Sequence, residues 1–598
     1  TGNGTLLAEQ SNVTFGGSVT LPVVAVPTPD LYFTGTLPQE ISSISIAQNI
    51  VIDNPSEVAF ATDLTVNGTL YLNEGTMVMR SGTNLIATDV VVDGGEPGMS
   101  SLRKIDPLQG GQLRFERVIS GPHGWRLLSS PIASTFEDFF GNIFTQGYPG
   151  ADSLDDSPSV LWYEESYPGT DNQRWRRPTS STDALVPGLG LFVYFFGDID
   201  ATEGYTDPLP DTLDVEGLEN TGMDGEVDFN VSYTADADSG WNLVGNPYGA
   251  TIDWDSGEWT KTNIDQTIYI WDASANGSNG EFLTWNGAVG SLGNGLIAPF
   301  QGFWVKANAP NPVLRVQETA KTTGGAFHKP AAAPPHLMVK LSADSLSART
   351  YLMFSPDGRM TIDPGDGYWL YPYSSNYLQL CSISPNGAHL SINHLPFDVE
   401  HPIDIPLMAS GSRQNGALNG TYTLTWHGAE SLPGEWNLLL QDRETGWHVR
   451  VRERNSYTFN LQSAMSKAIP NVQTNSLAPV TLRKNIPEKV AQVDTRFVLR
   501  VDMKGNYQDI PEEFMLFQNY PNPFNQTTRF SFGLPEASHV RIELYDIRGR
   551  NIATVTDQQF APGYHEVPWS ATNLSSGVYL YKFQADSFTR VKKLVYIK

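Results

Sequence analysis

The 598-residue sequence holds one cysteine, Cys381, so no disulfide forms within the chain. No apolar run approaches the ~18–20 residues that cross a bilayer as a helix, which excludes a helical transmembrane segment. Positive charge is scarce: 38 Lys+Arg stand against 65 Asp+Glu, a net charge of −27. A polyanion is repelled by such a chain, so nucleic acid is excluded as a partner. Helical periodicity is nearly absent, and only Thr135–Phe144 predicts a helix, of about two turns. The common hydrolase signatures are missing too: no Gly-x-Ser-x-Gly elbow, no His-Glu-x-x-His, no phosphate loop.

What is present suits several β cores. Hydrophobic residues make up 40%, with 14 Trp, and 54 Gly and 40 Pro punctuate short alternating runs. The length allows about four domains. Charge is uneven: residues 1–335 hold 14 Lys+Arg and 41 Asp+Glu, which leaves 24 of each for 336–598. An acidic, exposed front suits solubility, or divalent cations, outside a cell. The opening residues do not read as a signal peptide, so the chain is expected to be already processed, and this says nothing against export.

Residues 41–93 repeat apolar pairs two apart: Val58/Phe60, Leu64/Val66, Leu70/Leu72, Met77/Met79 and Val90/Val92. Turn pairs such as Asn67-Gly68 and Glu74-Gly75 separate them. Each rung is too short to bury its apolar face alone, so rungs must stack, which predicts a short β-solenoid over a hairpin meander. Residues 11–26 alternate as a further strand. Such a strand pairs within its own solenoid or adds to a neighbouring copy's sheet edge.

The middle carries an internal repeat. Gly124-Trp125-Arg126-Leu127-Leu128-Ser129-Ser130-Pro131 matches Gly240-Trp241-Asn242-Leu243-Val244-Gly245-Asn246-Pro247. Each is followed by an aromatic strand (Val160–Glu164, Tyr269–Asp272) and closed by a Gly-aromatic strand (Pro187–Tyr194, Pro299–Lys306). The offsets are 116 residues from Trp125 to Trp241 and 112 from Gly190 to Gly302. The expected organisation is a terminal strand and solenoid over 1–110, then β-sandwich repeats over 111–224 and 225–318. A Pro/Ala linker (319–335), a third β-sandwich (336–502), a hinge (503–513) and a final Ig-like sandwich (514–598) follow. The fold class is all-β: a short β-solenoid-like N-terminal region followed by tandem β-sandwich domains, Ig-like or jelly-roll-like.

The last 85 residues open with Asn519-Tyr520-Pro521-Asn522-Pro523-Phe524-Asn525. Leu534-Pro535-Glu536, Val540–Arg550 with Gly549, Gly563–Trp569, Leu574–Tyr579 with Gly577 and Tyr579, and the basic pair Lys592-Lys593 continue in order. These words resemble the type A C-terminal sorting domain of the type IX secretion system. The resemblance implies contact with that machinery, passage across the outer membrane of a Bacteroidota-like cell, and then surface attachment or release. The repeated Gly-Trp words of the middle resemble regions common in large surface proteins of the same pathway, a likeness that implies no reaction.

Candidate sites are few. Asp236 and Asp238, and Asp152 with Asp156, are spaced as calcium-loop oxygens beside Gly or Ser, and calcium is the one cofactor considered. Trp175, Trp254 and Trp259 sit in polar contexts and are expected to be exposed, as stacking platforms for surface glycans. Ser153, Thr212 and Ser345 each follow Asp and precede Leu, resembling an O-glycosylation acceptor. His389, His394 and His401 are spaced by five and seven, which fits neither one helix face nor one strand face, so a metal site is not expected. The reading is a non-enzymatic, secreted surface protein that assembles with copies of itself into a filament, sheath or surface layer. The alternatives are a monomeric adhesin or carbohydrate-binding protein and, less favoured, a polysaccharide hydrolase.

Overall fold

The computed structural model describes residues 6–8, 13–18, 23–25, 30–42, 44, 46–79, 85–93, 101–103, 112–154, 157–169, 171–197, 209–217, 220, 225–234, 240–322, 334–412, 420–461, 495–505, 510–511, 513–572 and 574–598. Strands dominate, as the alternating pattern predicts. The short Phe136–Phe140 helix lies within the Thr135–Phe144 stretch of helical periodicity, with the Thr135 hydroxyl accepting from the Asp138 amide as its N-cap.

The first rungs pair in parallel, which a hairpin meander cannot do. Val13–Phe15, Asp30–Thr34, Asn49–Phe60, Leu64–Met79 and Leu85–Asp93 follow one another across the sheet. Their register builds two apolar columns. Val13, Leu31, Ile50 and Leu70 form one; Phe15, Phe33, Ile52 and Leu72 form the other, and the backbone register carries on to Val90 and Val92. Leu31, Phe33, Ile50, Ile52, Leu70 and Leu72 are fully enclosed, each contributing about 1.5–3 kcal/mol. Val13–Phe15 therefore pairs within its own solenoid and forms the outer strand of that sheet.

The parallel backbone register runs past residue 110, the expected boundary. Leu113 lies beside Val90 and Phe115 beside Val92, so Gln112–Ile119 is the last parallel rung, and Asp211–Gly217 pairs antiparallel outside it. The first sandwich is thus welded to the solenoid by its own flanking strands.

The two repeats share one strand order. Gly124–Leu128, Leu191–Phe195, Val160–Tyr163 and Trp175–Arg176 form the first sheet; Trp241–Gly245, Gly302–Lys306, Ile268–Asp272 and Glu281–Trp285 form the second. Lys321–Thr322, read from the sequence as linker, pairs with Thr251–Asp253 and completes the second repeat. A larger sheet follows, from Trp447–Arg450 through Tyr377–Ile383 to Ser456–Leu461. The final sandwich has seven antiparallel strands. Met515–Leu516, Thr527–Leu534 and Gly563–Ser570 face Asn551–Phe560, Ser538–Asp546, Gly577–Ala585 and Phe588–Tyr596.

Candidate functional site

The opening words of the final sandwich act as a clasp. Asn519 is buried; its side-chain amide donates to Thr528 Oγ1 at 3.0 Å, and its backbone amide to Tyr581 Oη at 3.0 Å. Tyr581 in turn donates to the Phe517 carbonyl at 2.9 Å. Asn522 grips the last strand, donating to the Lys593 carbonyl at 3.1 Å and accepting from the Val595 amide at 2.8 Å. Phe524 is enclosed and exchanges backbone bonds with Val595 and Ile597. The peptide bonds before Pro521 and Pro523 are cis. Gly549 takes φ +79° in the turn that bonds back to Asp546, a conformation that glycine adopts without strain. Gly577 starts the strand that pairs with Phe588–Tyr596, and Tyr579 donates to the Ser575 carbonyl at 2.8 Å. Lys593 is exposed and Lys592 half-buried on that last strand. The motif therefore ties the two ends of its own domain together.

This sandwich is also seated on the domain before it. The Phe517 ring lies where a Cβ on Gly446 would be, 2.0 Å from the nearest ring atom. Arg454 pairs with Glu566 at 2.8 Å, and the His448 and Tyr564 rings lie 3.8 Å apart.

The repeated words meet each other across a pseudo-two-fold. Leu128 bridges to Gln301, and Val244, its equivalent, bridges to Leu189, the equivalent of Gln301. Likewise Ser129 N donates to the Phe300 carbonyl at 2.9 Å and Gly245 N to the Gly188 carbonyl at 3.0 Å. Gly190 and Gly302 permit the approach: a Cβ there would lie 2.6 Å from the Val244 carbonyl oxygen and 2.7 Å from that of Leu128. Trp125, Trp175, Trp241, Trp271 and Trp304 fill the seam, and Leu370 of the third domain closes it. Glu165, buried, crosses from the first repeat and accepts from Ser232 Oγ, Thr234 N, Thr234 Oγ1 and Gly240 N at 2.7–3.0 Å.

The expected glycan platform is corrected by this packing. Trp175, Trp254 and Trp259 are only 7%, 1% and 9% exposed. Main-chain carbonyls satisfy two of the indoles: Trp254 Nε1 donates to the Gln266 carbonyl and Trp259 Nε1 to that of Asp253. Of the calcium candidates, Asp236, Asp238 and Asp156 lie outside the described residues. Asp152 is occupied by the Thr145 amide at 2.8 Å. Among the described residues no group of three or more His, Cys, Asp or Glu is placed to hold a metal. Ser345 is exposed at a hairpin tip, while Ser153 and Thr212 are half-buried, Thr212 within a paired strand.

The three histidines do not converge. His401 is exposed; His389 is buried, which pushes its imidazole down to about 4. Cys381 is buried and its thiol is pushed up by that burial. His394 makes a contact the sequence did not suggest. Its Nδ1 lies 2.9 Å from Asp363 Oδ1 and its Nε2 lies 2.6 Å from Ser355 Oγ. Parallel pairing of Leu346–Ser355 with His389–Pro396 brings Ser355 and His394 together. The Asp363–Asp366 loop also docks the second repeat, through Gln266 N to Pro364 O, Asn286 Nδ2 to Gly365 O and Thr267 Oγ1 to Asp366 O, at 2.7–2.8 Å.

Residues 518–598 match the family model of the secretion system C-terminal sorting domain. No curated protein matches the chain. Among solved structures, dimeric latent PorU from Porphyromonas gingivalis is 10% identical with a TM-score of 0.14; the match covers 47% of this chain and 31% of that one. The BSP domain of a biofilm associated protein is 9% identical with a TM-score of 0.12, covering 80% of this chain and 61% of that one. At such TM-scores neither likeness bears on function.

Proposed function

From the premise that the sorting domain makes this chain a type IX secretion substrate, exported across the outer membrane to the cell surface or beyond, we propose that it is a structural subunit of an extracellular assembly. It would build a filament, sheath or surface layer with copies of itself, and its sorting domain would stay part of the subunit. The observation that carries this reading is the packing at every module boundary. Solenoid and first repeat share a sheet, the repeats share an aromatic seam, the third domain docks through the Asp363–Asp366 loop, and the sorting domain seats on Gly446. Buried junctions favour a stiff body over modules on free tethers, and stiffness is what a repeating subunit needs.

Val578, Leu580 and Val591 add support. They are exposed on adjacent strands of the sorting sandwich, facing away from its core, and alternate with Lys582 and Lys593 on a mixed face that a second copy would cover. The test is light scattering after size exclusion over a range of concentrations. Mass that grows in whole subunits supports the reading; a monomer at every concentration opposes it.

A further inference from the structure

We propose that Ser355, His394 and Asp363 form a nucleophile–base–carboxylate relay that opens acyl esters, an activity beyond the structural role and independent of it. Such relays are recognised by geometry and roles, and no fold or chain order is required. Here the connectivity is complete: Asp363 Oδ1 to His394 Nδ1 at 2.9 Å, and His394 Nε2 to Ser355 Oγ at 2.6 Å.

The surroundings set the imidazole's tautomer. Asp363 Oδ1 accepts from Gly365 N at 2.8 Å and its Oδ2 from Arg359 N at 3.1 Å, so both oxygens are engaged as acceptors. Nδ1 must then carry the hydrogen it shares with Oδ1, which leaves the Nε2 lone pair for the serine hydroxyl. Asp366 Oδ1 accepts from His394 N at 2.8 Å and fixes the residue's backbone. Gly365 lets the loop close on the ring, since a Cβ there would lie 2.6 Å from Nδ1.

Burial is graded as a reacting relay needs. The Asp363 and His394 side chains are 4% and 11% exposed, while Ser355 is partly open to solvent at the end of its strand. The developing oxyanion would be met by two donors on the Pro356–Arg359 segment that follows. The Asp357 amide and the exposed Arg359 guanidinium have no acceptor among the described residues. An ester with an acidic portion suits that guanidinium.

In the reaction, Ser355 Oγ bonds to the ester carbonyl carbon while its proton passes to His394 Nε2, and the carbonyl π pair moves onto oxygen. Collapse breaks the carbon–alkoxide bond, and the leaving alcohol takes the proton from Nε2. Water then attacks the acyl-serine, losing a proton to Nε2. Ser355 Oγ departs and recovers that proton, and a carboxylic acid is released.

The test treats the full-length folded protein with a fluorophosphonate and maps the adduct by peptide mass. The expected result is a phosphonyl adduct on Ser355 that is absent after unfolding in guanidinium. His394→Gln, which keeps an amide in place of the imidazole, should slow labelling by about 10²-fold or more while the melting temperature stays close to that of the parent. Hydrolysis of p-nitrophenyl acetate should fall to background in Ser355→Ala. An unmodified Ser355 in the folded protein, under conditions that fully label a known serine esterase, would overturn the proposal. Equal labelling in folded and unfolded chains would overturn it as well; Ser355 and His394 would then only latch the loop.

Discussion

Tyr520, the second residue of the sorting motif, packs edge-on against Trp447 of the preceding domain, their ring centroids 6.3 Å apart. Its neighbour Asn519 faces the other way, into the sorting domain's own core. Adjacent residues of one motif thus serve two tasks, closing the domain and joining it to the body. Tyr520→Ala should weaken the junction by about 1 kcal/mol beyond the lost area, leaving the sorting sandwich folded. Limited proteolysis checks this: cleavage between the domains should speed up, with the released fragment still resistant.

Asn519→Ala should act inside the sandwich instead. It removes the buried amide that donates to Thr528 Oγ1 and leaves that hydroxyl with one acceptor, the Pro521 carbonyl at 2.9 Å. A loss of about 1–3 kcal/mol is expected for the domain. Hydrogen exchange should rise throughout Thr527–Leu534 and its partner strands while the repeats keep their protection.

The pseudo-two-fold predicts paired effects. Gly190→Ala and Gly302→Ala place a methyl against equivalent carbonyls, so each should cost about 1–3 kcal/mol and the two costs should agree closely. Gly257→Ala meets nothing within 4 Å and serves as the neutral control. Unequal costs for the pair, measured by chemical denaturation, would mean the seam is not symmetric in energy.

Acid should act oppositely on two junctions. Between the second repeat and the third domain, burial pushes Asp366 up to about 7 and Asp265 up to about 6. The folded protein then keeps protons that the unfolded chain, near ~3.9, has released, so their contribution is full below ~4 and lost as pH rises through 6–7. At the seam between the repeats, burial pushes Glu165 up, but bonds from Ser232, Gly240 and Thr234 outweigh it and hold the carboxyl below its ordinary value. That contribution is present above ~4.3 and is lost as pH falls through the folded value. Hydrogen exchange, corrected for its intrinsic pH dependence, should show the Asp363–Asp366 loop better protected at pH 5 than at pH 8. Around Ser232–Thr234 protection should drop only at more acidic pH.

Much of this architecture is legible in the sequence. Val58/Phe60 and Leu70/Leu72 announce stacked rungs because each pair needs a neighbour to bury it. The recurrence of Trp125 as Trp241 announces two copies of one sandwich. What could not be read is where copies meet. A repeat conserves interface and core residues alike, so nothing in the spacing reveals that Gly190 faces Val244 and not its own sheet. Trp254 and Trp259 mislead for a related reason: main-chain carbonyls of Gln266 and Asp253 satisfy their buried indoles, and no local pattern announces such acceptors. Ser355 and His394 lie 39 residues apart, and only the parallel pairing of their strands joins them. Histidine spacing within one segment carries no trace of a partner contributed by another.

Assembly is tested by electron microscopy of the native protein at its cell surface, compared with cells whose chain ends before Phe514 and is exported by an appended, cleavable sorting domain. Regular filaments, sheaths or sheets built from the full chain, and their loss on truncation, are expected. Dispersed, unordered particles from the full chain at native abundance would contradict assembly.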